Sequence, residues 1–369
     1  MEKDRVTVDQ LALMLMLVIA GGKFLALPSI LADEVGHDSW IVMCLVFAVD
    51  AVCLCFLLWS VRLNKDGLSV DRVLDLSLGK VIGKLLLAIL FVIYMSRQIV
   101  LIGSCYEMFA VTFDINTNWL FFALPVVAVT TFALTRGFTA MARVSQILFG
   151  LVTISVVALL VNPLLSVRWS QLLPFAEAGW GNMVNCAAKK SYWFSDYIFM
   201  YFVLDKVKVR KHLYLPIMSV FIVGAVITVV MDIVFVTLYG SFAPHFRLAM
   251  SKIGAFSLGD GASGRWDWLT LSLWVTSVLL KITLFFYCAY KSLEKIFEFR
   301  HDKINWFAVG AITLLLMLPM FVSTDDFTSV FLANAVIPFA VVQFVLPVAY
   351  PLLTRIATNK AERGVYERT

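Results

Sequence analysis

The segment Leu17-Val-Ile-Ala-Gly21-Gly22-Lys23-Phe-Leu-Ala-Leu-Pro28 places a lysine near the middle of the first apolar stretch of the chain. A lysine at the centre of a membrane helix costs roughly 2.5–3.5 kcal/mol on insertion scales. The two glycines before it and the proline after it weaken a helix at the same place. A charge beside a helix break inside a membrane is typical of a ligand or ion site rather than of a simple anchor.

The composition predicts an all-α integral membrane protein. Of the 369 residues, 61% are hydrophobic and 15% are charged, and the mean hydropathy is +0.89. A soluble domain carries about 25% charged residues. We predict ten transmembrane helices of roughly 20 residues in one integral domain, 1–369, with a charged tail at 354–369. The spans lie at about 8–31, 39–61, 84–105, 119–135, 145–163, 183–204, 214–240, 268–290, 304–322 and 328–351.

The distribution of lysine and arginine predicts that both termini are cytoplasmic. With the N-terminus inside, the outer segments hold only Arg168, Arg247, Lys252 and Arg265, and the inner segments hold most of the others. An excess of Lys and Arg is the mark of cytoplasmic loops. The net charge of +5 therefore reflects topology and does not indicate nucleic-acid binding. The inner loop 62–83 predicts a short amphipathic helix at the membrane interface.

Ten spans can divide into two halves of five, about 8–163 and 183–351. An odd number of spans per half inverts the second half relative to the first, which is the layout of many secondary transporters. Span 1 then corresponds to span 6, which has no central Gly or Pro. Span 6 instead carries the run Lys189-Lys190-Ser191-Tyr192-Trp193-Phe194-Ser195-Asp196. The topology thus supports the repeat. The local sequence shows a helix break in span 1 only, and so supports the repeat in the first half alone.

Six charged residues lie deep in the predicted spans: Lys23, Arg97, Lys281, Asp50, Asp196 and Asp232. Each must pair, face water or change its protonation state. Two interpretations stay open: these residues form structural ion pairs between helices, or some of them line a polar cavity for a charged small molecule. We expect Asp196 to bind an amine or one of the cations. For Asp50 and Asp232 we favour structural pairing.

No pattern in the sequence indicates catalysis or a bound metal or cofactor. The histidines lie in loops, without metal-ligand or triad spacing to neighbouring carboxylates. The cysteines show no zinc or disulfide spacing. We therefore expect no enzymatic activity, no metal and no cofactor. Two aromatic residues, Trp193 and Phe285, adjoin deep charges and remain candidates for a ligand site.

Several motifs resemble the spore germination permease family, which supplies the integral membrane subunit of endospore germinant receptors. That family belongs to the amino acid–polyamine–organocation transporter superfamily. The resemblance runs through nearly the whole chain. The motifs are Val8-Asp9-Gln10-Leu11, Leu25-Ala26-Leu27-Pro28, Gly36-His37-Asp38-Ser39-Trp40, Glu107-Met108, Leu172-Leu173-Pro174, and Arg265-Trp266-Asp267 leading to Trp274 and Lys281.

The resemblance implies a LeuT-like fold with broken helices 1 and 6 and a small-molecule pocket between spans 1, 3, 6 and 8. It implies a sensor of a germinant, commonly an amino acid, in the inner membrane of the endospore. A larger membrane subunit and a lipoprotein would be its partners in triggering germination. By matched motif the pocket would contain Gly21, Gly22, Arg97, Ser195, Asp196, Lys281 and Phe285. The alternative is an active amino acid permease, proton-coupled through Asp196, Lys23 or Lys281.

Two residues depart from the family pattern. Lys23 stands where the family usually has a small residue, and Arg97 stands where some relatives have a smaller, neutral one. Two added cations would change the charge of the pocket. We hypothesise that this chain binds a more acidic ligand than a neutral amino acid, or that Asp196 neutralises the site.

Overall fold

The structure is a computed structural model that describes residues 5–64, 67–113, 118–207, 213–246, 248–249, 252–253, 266–298, 302–322 and 339–366. The outer-loop glycines between 254 and 264 and the residues after 366 lie outside the described part, as do Arg247 and Arg265. The same holds for the side chains of Trp266, Asp267 and Trp274.

The described residues are almost entirely helical, as the composition predicts. The α-helices are α1 (Val8–Val35), α2 (Ser39–Leu63), α3 (Val70–Leu78), α4 (Lys80–Phe113), α5 (Trp119–Thr135), α6 (Phe138–Leu165), α7 (Trp180–Lys190), α8 (Tyr214–Tyr239), α9 (Trp266–Phe297), α10 (Asp302–Val322) and α11 (Leu346–Tyr366). A π-helix, Val341–Val345, precedes α11. An isolated β-bridge pairs Val6 with Val207.

The helices have the length and hydropathy of a multi-pass membrane protein. Five stretches of the described chain are long and apolar enough to cross a bilayer, and the first of them contains both α1 and α2. Two shorter apolar helices accompany them, at Trp119–Thr135 and Trp306–Leu318. A helix covers most of each predicted span, except for the interrupted sixth and for the start of the tenth, which lies outside the described residues.

Helix α1 begins at a capping box and bends in the middle. The Gln10 N–H donates to Thr7 Oγ1 at 3.3 Å, and the Thr7 N–H donates to Gln10 Oε1 at 3.1 Å. This reciprocal pair satisfies two amides that have no partner inside the helix. Gly21 has a ψ of 22°, which is not helical, so the helix kinks there. The weak point predicted from the glycine pair is thus a kink, two residues before Lys23.

The sixth predicted span is interrupted where its polar run lies. Helix α7 ends at Lys190, and a 3-10 turn follows at Ser191–Trp193. Ser195 then adopts φ 58° and ψ 39°, a left-handed conformation that a right-handed helix does not accommodate. The chain resumes as a 3-10 helix, Asp196–Phe202. The interruption exposes backbone groups that a continuous helix would have paired.

Side chains from neighbouring helices satisfy that exposed backbone. The hydroxyl of Tyr94 in α4 donates to the Ile198 carbonyl at 2.8 Å. The thiol of Cys288 in α9 donates to the Phe199 carbonyl at 3.6 Å. These contacts hold the 3-10 segment between α4 and α9 without regular helical hydrogen bonds.

Two glycines bring α1 close to its neighbours. Helix α1 packs along α8 and α9, and α9 also packs along α4. A Cβ atom on Gly21 would lie 3.1 Å from the Ser277 carbonyl oxygen, and one on Gly22 would lie 2.7 Å from Leu101 Cδ2. Small residues at such contacts let helices approach closely in membrane proteins. Lys23 follows them on α1, and its ammonium contacts Asp196.

The predicted amphipathic helix of the 62–83 loop is confirmed as α3. Its apolar residues Val70, Val73 and Leu74 are buried. Its acidic face reaches the end of α9, where Lys295 Nζ lies 3.1 Å from Asp71 Oδ2. Nearby, Lys84 Nζ lies 3.0 Å from Glu298 Oε1 and lowers the pKa of that exposed carboxyl. These ion pairs fasten α3 and α4 to the end of α9.

Candidate ligand-binding site

One carboxylate, Asp196, forms ion pairs with all three of the deep cations that the sequence predicts. Lys23 Nζ contacts its Oδ2, while Lys281 Nζ lies 2.8 Å and Arg97 Nη1 3.3 Å from its Oδ1. All four side chains are buried, with exposed fractions between 1% and 8%. The contacts join helices, as the first of the two sequence interpretations expects, but three cations share one carboxylate and do not form three separate ion pairs.

The four residues come from four different elements. Lys23 follows the kink of α1, Arg97 lies in the middle of α4, and Lys281 lies in the middle of α9. Asp196 is the first residue after the left-handed Ser195, in the interruption of the sixth span. Any rearrangement of the ion pairs at Asp196 therefore changes how α1, α4 and α9 contact the 3-10 segment that begins at Asp196.

The guanidinium of Arg97 also uses the interrupted backbone. Its Nη2 donates to the Phe194 carbonyl at 2.6 Å, a carbonyl that has left the helical pattern. Its Nε has no hydrogen-bond partner among the described residues, although it is buried. The guanidinium carbon lies 5.7 Å from the ring centre of Phe285, within the range of a cation–π contact. One donor of Arg97 is therefore still available to a ligand.

The two remaining deep acids, Asp50 and Asp232, do not pair with a cation among the described residues, so the structural pairing favoured for them is not found there. Asp50 accepts hydrogen bonds from the N–H and the hydroxyl of Ser195, each at 2.6 Å. Asp232 accepts one from the Ser39 hydroxyl at 2.6 Å, and its Oδ1 has no partner in the described chain. Serine takes the place that we expected a lysine or arginine to occupy.

Aromatic rings surround the Lys23 ammonium. Its Nζ lies 5.6 Å from the ring centre of Phe47 and 5.5 Å from that of Phe194. The two rings meet edge to face, with their centres 5.1 Å apart. Such rings offer a weak attraction to a cation in a place that water does not reach. The sequence did not single out Phe47 or Phe194, because nothing local distinguishes them from the many other phenylalanines.

A cavity of about 40 Å³ adjoins the cluster on the side of Arg97 and Lys281. By this measure one water needs about 10–15 Å³, so the space holds about three waters. Both charged side chains and aromatic or apolar side chains line it. The lining residues are Ser96, Arg97, Val100, Leu101, Tyr192, Trp193, Asp196, Lys281, Phe285 and Phe339.

The predicted site residues fall into two groups. Arg97, Trp193, Asp196, Lys281 and Phe285 line the cavity. The others support it: Gly21 and Gly22 set the approach of the helices, Lys23 holds Asp196 from the far side, and Ser195 is bound to Asp50.

Sequence reasoning missed several lining residues. Tyr192 and Ser96 each precede a residue that it did select, so their neighbours are a usable signal. Phe339 comes from outside the four spans expected to form the pocket, and no local pattern marks it.

Outside the cluster, Lys190 pairs with Glu34 at 2.6 Å, and both side chains are partly exposed. Lys189 is exposed. Among the described residues no group of three or more His, Cys, Asp or Glu is arranged to hold a metal ion. The chemistry that this site offers is the binding of charged groups.

Comparison with known proteins identifies a family. A search of curated proteins finds no match. The family model described as spore germination protein matches residues 5–324, which include every residue of the Asp196 cluster. The match covers far more than half of the chain, and the protein therefore belongs to the spore germination permease family.

Proposed function

We propose that this protein is the germinant-sensing, transporter-like subunit of an endospore germinant receptor. It binds a small solute, such as an amino acid, at the Asp196 cluster and triggers germination through a larger membrane subunit and a lipoprotein. It is a binding protein and not an enzyme. One observation carries the proposal: three cations from three helices meet one carboxylate in a helix interruption, beside a cavity, within a family of spore germination proteins.

The proposed architecture is a LeuT-like bundle of ten spans in the inner membrane of the spore, with both termini in the cytoplasm. Spans 1 and 6 are equivalent positions in a five-plus-five inverted repeat. The kink at Gly21 and the left-handed Ser195 fall in those two spans, which supports the pairing. In transporters of this kind, substrates bind near the membrane midplane where such helices are discontinuous.

The size of the cavity indicates how sensing works. About 40 Å³ is less than an amino acid needs, so this conformer is closed around the site. Entry of a solute requires α1, α4 or α9 to move away from the 191–202 segment. A ligand that binds the opened conformer more tightly shifts the population toward it. The partner subunits would read that shift.

Binding is tested directly on the full chain reconstituted in lipid nanodiscs. Candidate amino acids, nucleosides and sugars are titrated against the native protein and against Lys281→Met, which loses a cavity-lining cation. Lys84→Met is the matched control, because it removes a lysine whose pairing with Glu298 lies away from the cavity. We expect a solute to bind the native protein and the control equally, and to bind Lys281→Met at least ten-fold more weakly.

The functional arm uses spores that carry each variant gene in place of the native one. We expect Lys281→Met spores to need at least ten-fold more germinant than native or Lys84→Met spores. If both variants germinate normally at every germinant concentration, the Asp196 cluster is not the sensing site.

A secondary transporter is the second candidate, favoured by Asp232. Its Oδ1 has no partner among the described residues and it is fully buried, and intramembrane carboxylates of this kind carry protons in pumps and transporters. Uptake of labelled solute into proteoliposomes that contain this chain alone would support transport. Binding and germination without measurable uptake would support the sensor.

A further inference from the structure

The Asp196 cluster carries more positive than negative charge. Lys23, Arg97 and Lys281 lie within 4 Å of Asp196, so three cations share one carboxylate. The nearest other described acid, Asp50, has both oxygens bound to Ser195. With all three cations protonated and Asp50 counted as ionised, one positive charge is left over.

An excess charge at this depth is costly. All of these side chains are at least nine-tenths buried. A buried charge is stabilised when it is paired and hydrogen-bonded, and it destabilises the protein when it is not. An added anion would remove the excess, whereas a zwitterion, which has no net charge, would leave it unchanged.

Two of the three cations line the cavity, and one of them carries an unpaired donor. Arg97 and Lys281 line it, and Arg97 Nε is a buried donor without a partner among the described residues. A guanidinium binds a carboxylate through two parallel hydrogen bonds when two of its N–H groups are available. Trp193, Phe285 and Phe339 also line the cavity, and they suit an apolar or flat portion of a molecule.

We infer that this site takes an anion, which binds against Arg97 and Lys281 and completes the charge of the cluster. The inference rests on the proposed function and adds that the occupied site contains an anion. The anionic group has two possible sources: the carboxylate of an organic solute such as a dicarboxylic amino acid, or an inorganic anion such as chloride that binds beside a neutral solute.

The test compares solutes that differ in charge and hardly in shape. The full chain in nanodiscs, in a chloride-free methanesulfonate buffer, is titrated with L-glutamate, L-glutamine, L-aspartate, L-asparagine and succinate. Binding is read by calorimetry and by the rise in melting temperature that a ligand of the folded state produces. Sodium chloride is titrated alone and together with each neutral amino acid.

We expect one of two patterns, each of which supports the inference. If the anion is organic, one of the acidic solutes binds at least ten-fold more tightly than its neutral counterpart. If the anion is inorganic, chloride raises the melting temperature and strengthens the binding of a neutral amino acid at least ten-fold. In both patterns the affinity for the acidic solute, or the gain in affinity that chloride produces, falls at least ten-fold in Arg97→Gln and Lys281→Met. It is unchanged in Lys84→Met.

The conservative variants Arg97→Lys and Lys281→Arg keep the charge, so they serve if a neutral variant does not fold. Both variants should retain the preference for an anion. Arg97→Lys should bind the anion more weakly than the native protein does, because an ammonium cannot offer the two parallel N–H donors of a guanidinium.

Two results would overturn the inference. If neutral amino acids bind at the cluster with no help from chloride and no disadvantage against acidic ones, the site is a sensor without an anion requirement, and the proposed function stands. If neither these solutes nor chloride binds, the anion site is absent, and the proposed function is then decided by the wider titration of amino acids, nucleosides and sugars.

Discussion

Ser195 donates two hydrogen bonds to Asp50, from its N–H to Oδ2 and from its hydroxyl to Oδ1, both at 2.6 Å. Asp50 lies in α2, and Ser195 is the left-handed residue at the interruption of the sixth span. The carboxylate thus takes the place of the helical partners that the N–H of Ser195 has lost. The next residue, Asp196, is the centre of the cation cluster, so Asp50 positions the cluster without touching its cations.

The first prediction concerns this clamp. In Asp50→Asn the amide oxygen still accepts from the Ser195 N–H, and the amide N–H donates to a hydroxyl that turns to accept. In Asp50→Leu both contacts are lost, and a buried N–H left unsatisfied costs about 1–3 kcal/mol. We expect Asp50→Leu to melt several degrees lower than the native protein in nanodiscs, and Asp50→Asn to lie close to it. Equal losses in the two variants would mean that the charge of Asp50, and not its hydrogen bonds, holds the segment.

The second prediction uses the left-handed backbone of Ser195. Ser195→Ala and Ser195→Gly both lose the hydroxyl, but glycine tolerates a φ of 58° without the cost of about 1–2 kcal/mol that a Cβ imposes. We expect Ser195→Gly to be more stable than Ser195→Ala by about 1 kcal/mol. Ser191 is the matched control, because its φ of −56° and ψ of −27° are right-handed. There the order should reverse, with alanine more stable than glycine; the same order at both positions would contradict the strain at Ser195.

The sequence predicts which residues form the cluster better than it predicts which of them contact one another. Lys23, Arg97 and Lys281 stand out because each is a cation in an apolar run, and the glycine pair marks the kink. Asp196 ends a polar run and is expected to bind an amine or a cation, but nothing local shows that it meets three cations or that Asp50 meets a serine. That difference arises from the left-handed turn at Ser195, which is set by tertiary contacts. No Gly or Pro at that position indicates the turn in the sequence.

The third prediction concerns Asp196. Asp196→Asn leaves three buried cations without their carboxylate, and breaking one partner out of a buried pair costs about 3–5 kcal/mol. Lys281→Met alone should cost little, because Asp196 keeps two cations. We therefore expect Asp196→Asn/Lys281→Met to be more stable than Asp196→Asn, as measured by unfolding in matched nanodiscs.

The coupling between the two residues is the loss of stability in the double variant minus the sum of the losses in the two single variants. Glu298→Gln is the control for the loss of an exposed ion pair, and its effect on stability should be small because water screens that pair. If the double variant is less stable than Asp196→Asn, removing Lys281 does not relieve any repulsion. The three cations then do not repel one another, although their short distances to Asp196 require it.

The fourth prediction separates two adjacent glycines. A Cβ on Gly21 meets the backbone oxygen of Ser277 at 3.1 Å, whereas a Cβ on Gly22 meets the mobile end of Leu101 at 2.7 Å. A side chain can rotate away and a helix backbone cannot. We expect Gly21→Ala to cost about 1–3 kcal/mol, as overpacking does, and to weaken ligand binding by moving α1 and its Lys23 away from α9. Gly22→Ala should cost less than Gly21→Ala in both measurements.

Gly150, on the surface of α6, is the control for the glycines. No atom lies within 4 Å of a Cβ built there, so Gly150→Ala should be neutral or stabilise the helix by up to about 1 kcal/mol. The informative quantity is the order of the three variants in melting temperature and in ligand affinity. If Gly22→Ala damages binding more than Gly21→Ala does, then Leu101 and Lys281, and not the contact of α1 with the α9 backbone, set the distance at which the cations meet Asp196.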